Sequence, residues 1–184
     1  MLVKPENIEI TEFEIEGLKL LQPKVFQDER GYFLESFRKD LYQQLNLPEF
    51  VQDNHAFSKK NTLRGLHFQT GEGQAKLVTV AEGEIFDVAV DMRKASPAFG
   101  KWQSVVLNSR SCRQFFIPAG FAHGYLVLSK TAHVLYKVSA YYDPKKEKGF
   151  FWQDPLVKIA WPVKNPELSL RDQKSPSFQE AILC

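Results

Sequence analysis

The stretch "GEIFDVAVDMR", residues 83–93, alternates residue by residue. Phe86, Val88, Val90 and Met92 fall on one side, and Ile85, Asp87, Ala89 and Asp91 on the other. A period of two fits a pleated strand and not a helix. "GFAHGYLVL" groups His123, Tyr125 and Val127 in the same way. "AHVLYKVSAYY" groups Val134, Tyr136, Val138, Ala140 and Tyr142. Glycine and proline interrupt the chain at short intervals, from Gly17 and Pro23 to Pro155 and Pro162. Many short strands between turn signals predict an all-β antiparallel sandwich or barrel. Only "SFRKDLYQQLNL" has a helical pattern, with Leu41 and Leu45 on one face and Pro48 closing it. The Pro-rich stretch "WQDPLVKIAWPVKNPELSLRD" is expected to lie over the surface or mouth of the barrel.

With 184 residues, 43% of them hydrophobic, the chain suits one domain with a substantial core. Its 15 Phe, six Tyr and three Trp lean toward strands. A net charge of +2 does not suggest a nucleic-acid partner, and "KKEK" at 145–148 suits a solvated turn. Cys112 and Cys184 form no disulfide framework and are expected to be free thiols in a reducing compartment. No run approaches membrane-spanning length, and the glutamate-rich N-terminal stretch has no apolar signal core. The expected location is cytoplasmic, with no membrane partner.

"TLRGLHFQ", residues 62–69, embeds Arg64, His67 and Gln69 among Leu63, Leu66 and Phe68. Arg64 and His67 are three apart, so a plain strand would aim them at opposite faces. A bulge or kink at Gly65 would turn both into one cavity, whereas two ordinary strand faces need no such device.

Of the four histidines, His133 shows no supporting neighbours and His55 alternates away from Gln52 and Asn54. Both suit structural roles better than chemical ones. His67 and His123 each sit near glycine in a strand-like run. Metal-binding barrels commonly use an HxH pair, a following glutamate and a later histidine. Here the run is H-F-Q, and a set of His67, Glu72 and His123 would be incomplete, which leans against a metal.

Without a metal, His67 suits a general base, which needs a carboxylate to orient it. Asp87, Asp91, Asp154 and Asp172 are all available, and spacing does not choose among them. Tyr136 fits either aromatic packing or a proton donor. Lys76 opens "KLVTV" and would usually be a solvated strand end, of interest only if it faces the same cavity.

The chain resembles the dTDP-4-dehydrorhamnose 3,5-epimerases of the cupin superfamily. The resemblance rests on "PKVFQDERGYFLESF", "FVQDNHAFSKKNTLRGLHFQ", "KLVTVAEGEIFDVAVDMRKASPAFG", "FIPAGFAHGYLVLS", "YKVSAYYDPKKEKGFFWQDP" and "IAWPVKNPELSLRDQ", which cover most of the chain in the family's order. It implies one cupin-type jelly-roll domain over residues 1–184. It implies a homodimer with N-terminal segments packed across the interface, a dTDP-linked 4-keto-6-deoxy sugar as substrate, and no metal or organic cofactor.

By the same resemblance His67 is the base, Asp172 its carboxylate, Lys76 the cation beside the developing oxyanion and Tyr136 the opposing acid. Arg30, Glu35, Gln52, Asn54, Arg64, His123, Tyr142, Glu147 and Arg171 fall at ligand-contact positions. Phe26 and Tyr142 suit pocket walls, and Asp87 suits a partner for a pocket histidine. Ala98, Tyr125, Gln153 and Arg171 depart from the family's common Thr, Phe, Asn and Lys. At position 171 the charge is kept but its geometry is not. A single-carbon epimerase, a ketoisomerase and a non-catalytic sugar-nucleotide-binding relative are the competing readings. A metal-dependent dioxygenase is a more distant one.

Overall fold

A computed structural model of the chain describes residues 5–183, so Cys184 lies outside the described residues. Strands run β1 Ile8–Glu12, β2 Lys19–Pro23, β3 Phe26–Asp28, β4 Gly31–Phe33, β5 Gln52–Lys59, β6 Leu63–Gln69 and β7 Lys76–Glu82. They continue as β8 Glu84–Asp91, β9 Trp102–Asn108, β10 Gln114–Ile117, β11 Phe121–Val127, β12 Thr131–Val138 and β13 Glu147–Gly149. The helices are short: α1 Lys39–Gln44, α2 Leu170–Gln173 and α3 Phe178–Leu183.

Two antiparallel sheets, ordered β1-β2-β10-β7-β12-β5 and β13-β6-β11-β8-β9, face each other as a cupin-type jelly roll. Val78, Phe115, Ile117 and Val134 from the first sheet meet Ile85, Ala89, Phe121 and Val127 from the second in the central core. Fully burying such a side chain contributes about 1.5–3 kcal/mol.

The second sheet is also covered from outside. Leu63, Leu66, Val88 and Val90 pack against Trp152, Val157, Ile159 and Phe178 of the C-terminal segment. The Pro-rich stretch therefore covers the barrel, as expected. It also explains why β8, despite strict alternation, is largely buried on both faces.

The helix expected over 36–47 forms only as α1. Arg38 at its start makes no side-chain cap, and Asn46 turns left-handed (φ 59°) before Pro48. The strand expected through Tyr142 stops at Val138, so Ala140 and Tyr142 lie in the irregular loop that follows. Cys112 is a buried free cysteine.

Candidate active site

The open end of the barrel holds a cavity of about 720 Å³. Its geometry begins at Gly65. In the β6–β11 ladder His123 pairs with His67, but Tyr125 pairs with Arg64. One extra residue on β6 breaks the alternation there, as in a bulge. Leu63 and Leu66 consequently both pack outward, while Arg64 and His67 both line the cavity. Gly65 is required at this point. Its φ is 117°, and a Cβ would lie 2.6 Å from both Gly124 Cα and the His123 carbonyl oxygen.

The four candidate carboxylates separate cleanly. Asp91 binds Arg93 and Ser96 at 2.7 and 2.6 Å. Asp154 accepts from the Phe178 amide at the start of α3, at 2.8 Å. Asp87, fully buried, lies 2.9 Å from His123 Nε2. Asp172 lies 2.6 Å from His67 Nε2. Ser169 caps α2 by accepting from the Asp172 amide at 3.0 Å. Burial pushes the Asp172 carboxyl up, but His67, Ser169 and the Gly65 backbone donor together hold it below the usual range. Burial raises the Asp87 carboxyl, against the pull of His123 and Lys76.

His67 and His123 come from the five-stranded sheet. Tyr136 and Lys76 come from the facing six-stranded sheet and line the same cavity. An imidazole and a phenol thus occupy opposing walls. Lys76 is no solvated strand end. It is buried, and burial lowers its ammonium to about 8 while Glu147 and Asp87 pull it back up. Burial pushes the Tyr136 phenol up; Arg64 lowers it and Glu147 raises it further.

Gln52, Asn54, Arg64, Tyr142, Glu147 and Arg171 also line the cavity. Tyr142 donates to Glu147 at 2.9 Å, and Arg171 is ion-paired with the same carboxylate. Gln52 accepts from the Tyr142 amide at 3.1 Å.

Arg30 and Glu35 are not brought into the cavity of their own chain. Arg30 sits on the β3–β4 hairpin, bonded to Asp28, with its side chain 89% exposed. Glu35 lies 3.4 Å from Arg38. Phe26 packs beside α1 rather than forming a wall of this cavity. The physical reason is that β3 and β4 form a separate two-stranded sheet, outside both layers of the barrel.

His133 does have a neighbour. Its Nδ1 lies 2.8 Å from His55 Nε2, and both rings lie outside the cavity. Among the described residues no three His, Cys, Asp or Glu side chains converge on a metal position, and Glu72 is exposed.

Ser169, Gln74 and Tyr125 are among the residues at the site to which sequence reasoning gave no role. Ser169 orients Asp172 by capping its helix, and "SLRD" carries the spacing of that cap. Gln74 lines the cavity and donates to the Ala140 carbonyl at 2.7 Å, a contact without a local sequence signal. Tyr125 shares the His123 face of its strand and departs from the family pattern; neither feature gives it a role at the site, yet it also lines the cavity.

A jelly roll whose mouth holds an oriented imidazole facing a half-buried phenol belongs among the cupin enzymes suited to acid–base chemistry on a small molecule. The family model described as dTDP-4-dehydrorhamnose 3,5-epimerase matches residues 12–180. The chain belongs to this family and is an isomerase.

It is 50% identical over 173 residues to the dTDP-4-dehydrorhamnose 3,5-epimerase of Salmonella typhimurium, covering 92% of this chain and 94% of that one. It is similar in structure to a dTDP-6-deoxy-D-glucose-3,5-epimerase from Legionella pneumophila in complex with dTDP-4-keto-L-rhamnose. That match has a TM-score of 0.90 and 44% identity, over 94% of this chain and 93% of that one. A 3'-monoepimerase from Streptomyces bikiniensis in complex with dTDP-quinovose matches with a TM-score of 0.84 and 34% identity, over 90% and 85%.

Proposed function

We propose that the chain inverts C3 and C5 of dTDP-4-dehydro-6-deoxy-D-glucose to give dTDP-4-dehydro-L-rhamnose, without a metal or organic cofactor. The observation that carries this reading is the pairing of His67, held by Asp172, with Tyr136 on the facing sheet of one cavity. Hydrogens at C3 and C5 are acidic because both carbons adjoin the C4 ketone. With Asp172 accepting the Nε2 proton, His67 Nδ1 is the basic nitrogen. His67 removes the carbon-bound proton, and the electron pair passes to the C4 oxygen.

The Lys76 ammonium stabilises that enolate in a cavity where burial strengthens the interaction. Tyr136 then donates its proton to the opposite face of the carbon. The base has gained one proton and the acid has lost one. Exchange with solvent restores both before the second carbon reacts. Arg64 and Arg171 suit the diphosphate, since a guanidinium donates two parallel hydrogen bonds.

The chain acts as one domain within a cytoplasmic homodimer. A two-stranded hairpin alone is marginally stable in water. The β3–β4 hairpin nevertheless exposes Tyr32 and Phe33, and the outer face of β5 and β12 exposes Phe57 and Leu135. Apolar exposure of this kind suits a second copy, whose hairpin would bring Arg30 and Glu35 to this chain's cavity. No helix among the described residues is long and apolar enough to cross a membrane.

Proton NMR in deuterated water tests the activity. Exchange with inversion at both carbons is expected, and His67→Ala should lower the rate by about a hundred- to ten-thousandfold. Inversion at one carbon only would instead support a single-centre epimerase, the activity in the name of the Streptomyces bikiniensis protein. Binding of the keto sugar without exchange would leave a non-catalytic binding protein.

A further inference from the structure

Tyr125 is 4% exposed, and its hydroxyl is buried without a hydrogen bond. A buried hydroxyl left unpaired costs free energy that a phenylalanine in the same volume would not incur. Such a group is explained best by a partner that appears only during turnover.

Its surroundings narrow the choice. Tyr125 lies on β11 opposite Arg64 of β6 and Asp87 of β8. Ser58 of β5 and Tyr136 of β12 act on the same phenol. Most of these groups are already engaged. The Ser58 hydroxyl accepts from Arg64 Nε at 3.0 Å and acts on the Tyr125 oxygen as a donor that lowers the phenol, so it does not take up the Tyr125 proton. The Asp87 carboxylate holds His123 Nε2 at 2.9 and 3.0 Å. That leaves Tyr136, which packs against the same core cluster and lines the same cavity.

We propose that Tyr125 is a positioning residue for the proton donor, its hydroxyl donating a hydrogen bond to the Tyr136 oxygen once Tyr136 has given up its proton. The inference rests on the reading of Tyr136 as the acid. Between two neutral phenols such a bond contributes little. To a phenolate it is charge-assisted and roughly twice as strong. The contact therefore favours the state after proton transfer over the resting state, as a catalytic interaction must.

Proton balance is preserved. The carbon gains the Tyr136 proton, Tyr136 becomes the phenolate, and Tyr125 keeps its own proton throughout. Burial pushes the Tyr125 phenol up, so it stays a donor. The charged groups facing the two phenols are Arg64 from β6, Asp87 from β8 and Glu147 from β13. Lys76 and His123 share the cavity.

The test compares wild type, Tyr125→Phe and Tyr136→Phe in deuterated water, following exchange and inversion at C3 and C5 separately. Exchange needs only the base, whereas inversion also needs the acid. In Tyr125→Phe, inversion per exchange event should fall about ten- to a hundredfold. Affinity for dTDP should be unchanged and the melting temperature no lower than wild type. In ultraviolet difference titration, the phenolate signal that Tyr136→Phe removes should move to higher pH in Tyr125→Phe.

Exchange and inversion falling together, a loss confined to KM or dTDP affinity, a lowered melting temperature with an unmoved titration, or wild-type behaviour throughout would each overturn the role of Tyr125. Full inversion by Tyr136→Phe, or no exchange by wild type, would instead overturn the reading beneath it.

Discussion

His67 Nε2 and Asp172 Oδ1 lie 2.6 Å apart although 105 residues separate them in the chain. The contact is made because the C-terminal segment crosses the outer face of the second sheet and returns to the cavity mouth, where Ser169 starts α2. Asp172→Asn should keep the packing but no longer favour the protonated imidazole. The expected result is a loss of about a hundred- to ten-thousandfold in kcat with little change in dTDP affinity. The same carboxyl also contributes to stability. Its folded-state pKa is depressed, so this contribution is present above the unfolded value and is lost as pH falls through the folded one. Urea midpoints of wild type should therefore drop more steeply than those of Asp172→Asn as the medium is acidified below the usual carboxylate range.

Gly65 controls whether Arg64 and His67 share a wall. Gly65→Ala would put a methyl group 2.6 Å from backbone atoms of β11, at a φ that side chains rarely adopt. Strain of about 1–3 kcal/mol is expected from the backbone alone. Activity should fall further than stability, because relief requires β6 to shift and His67 to leave its register. Circular dichroism and exchange rates on the same sample would separate the two. A stable, fully active Gly65→Ala would show that the bulge is not needed.

The sheets were legible because alternation and turn residues are local. "GFAHGYLVL" and "AHVLYKVS" report their own faces, and the structure keeps those faces. The bulge was legible as an anomaly, since Arg64 and His67 could share a wall only if the period broke between them. The pairing of carboxylates was not legible from the residues alone. Four aspartates suited His67 equally, and only the path of the C-terminal segment separates them. The pairing of His55 with His133 escaped for the same reason, because their opposition comes from the β5–β12 register. Arg30 and Glu35 matched the family's contact positions, but their own chain does not fold them into the cavity. A contact supplied by a second copy leaves no trace in one chain's periodicity.

If a second copy supplies the hairpin, separating the copies should weaken ligand binding without any change inside the cavity. Phe57 is 51% exposed and Leu135 39%, on adjacent strands outside the barrel. Phe57→Asp should loosen the dimer by at least about thirtyfold, as for a central apolar contact, when followed by sedimentation. Arg30→Ala should weaken dTDP binding about tenfold in calorimetry while leaving the oligomer intact. A wild-type monomer with full dTDP affinity would exclude this arrangement.

Lys76 should trade stability for rate. Its ammonium is buried among β-strands, and its pKa is lowered to about 8 from an ordinary value of 10.5. Below about pH 8 the folded protein bears the full cost of burying that charge. Between pH 8 and 10.5 the unfolded chain binds the proton more readily than the folded one, so stability from this group rises with pH. Lys76→Met keeps the bulk and removes the charge. It should be more stable than wild type by about 3 kcal/mol at neutral pH, with the difference shrinking by pH 10. Exchange at C3 and C5 should nevertheless fall by about a hundred- to a thousandfold, because the enolate oxygen loses its cation. Wild-type activity should itself decline above about pH 8 as the ammonium deprotonates. Urea midpoints of both proteins at the two pH values test the first part. A Lys76→Met protein less stable than wild type at neutral pH would mean that Glu147 and Asp87 more than compensate the buried charge. The cation would then hold the fold together as well as serve the reaction.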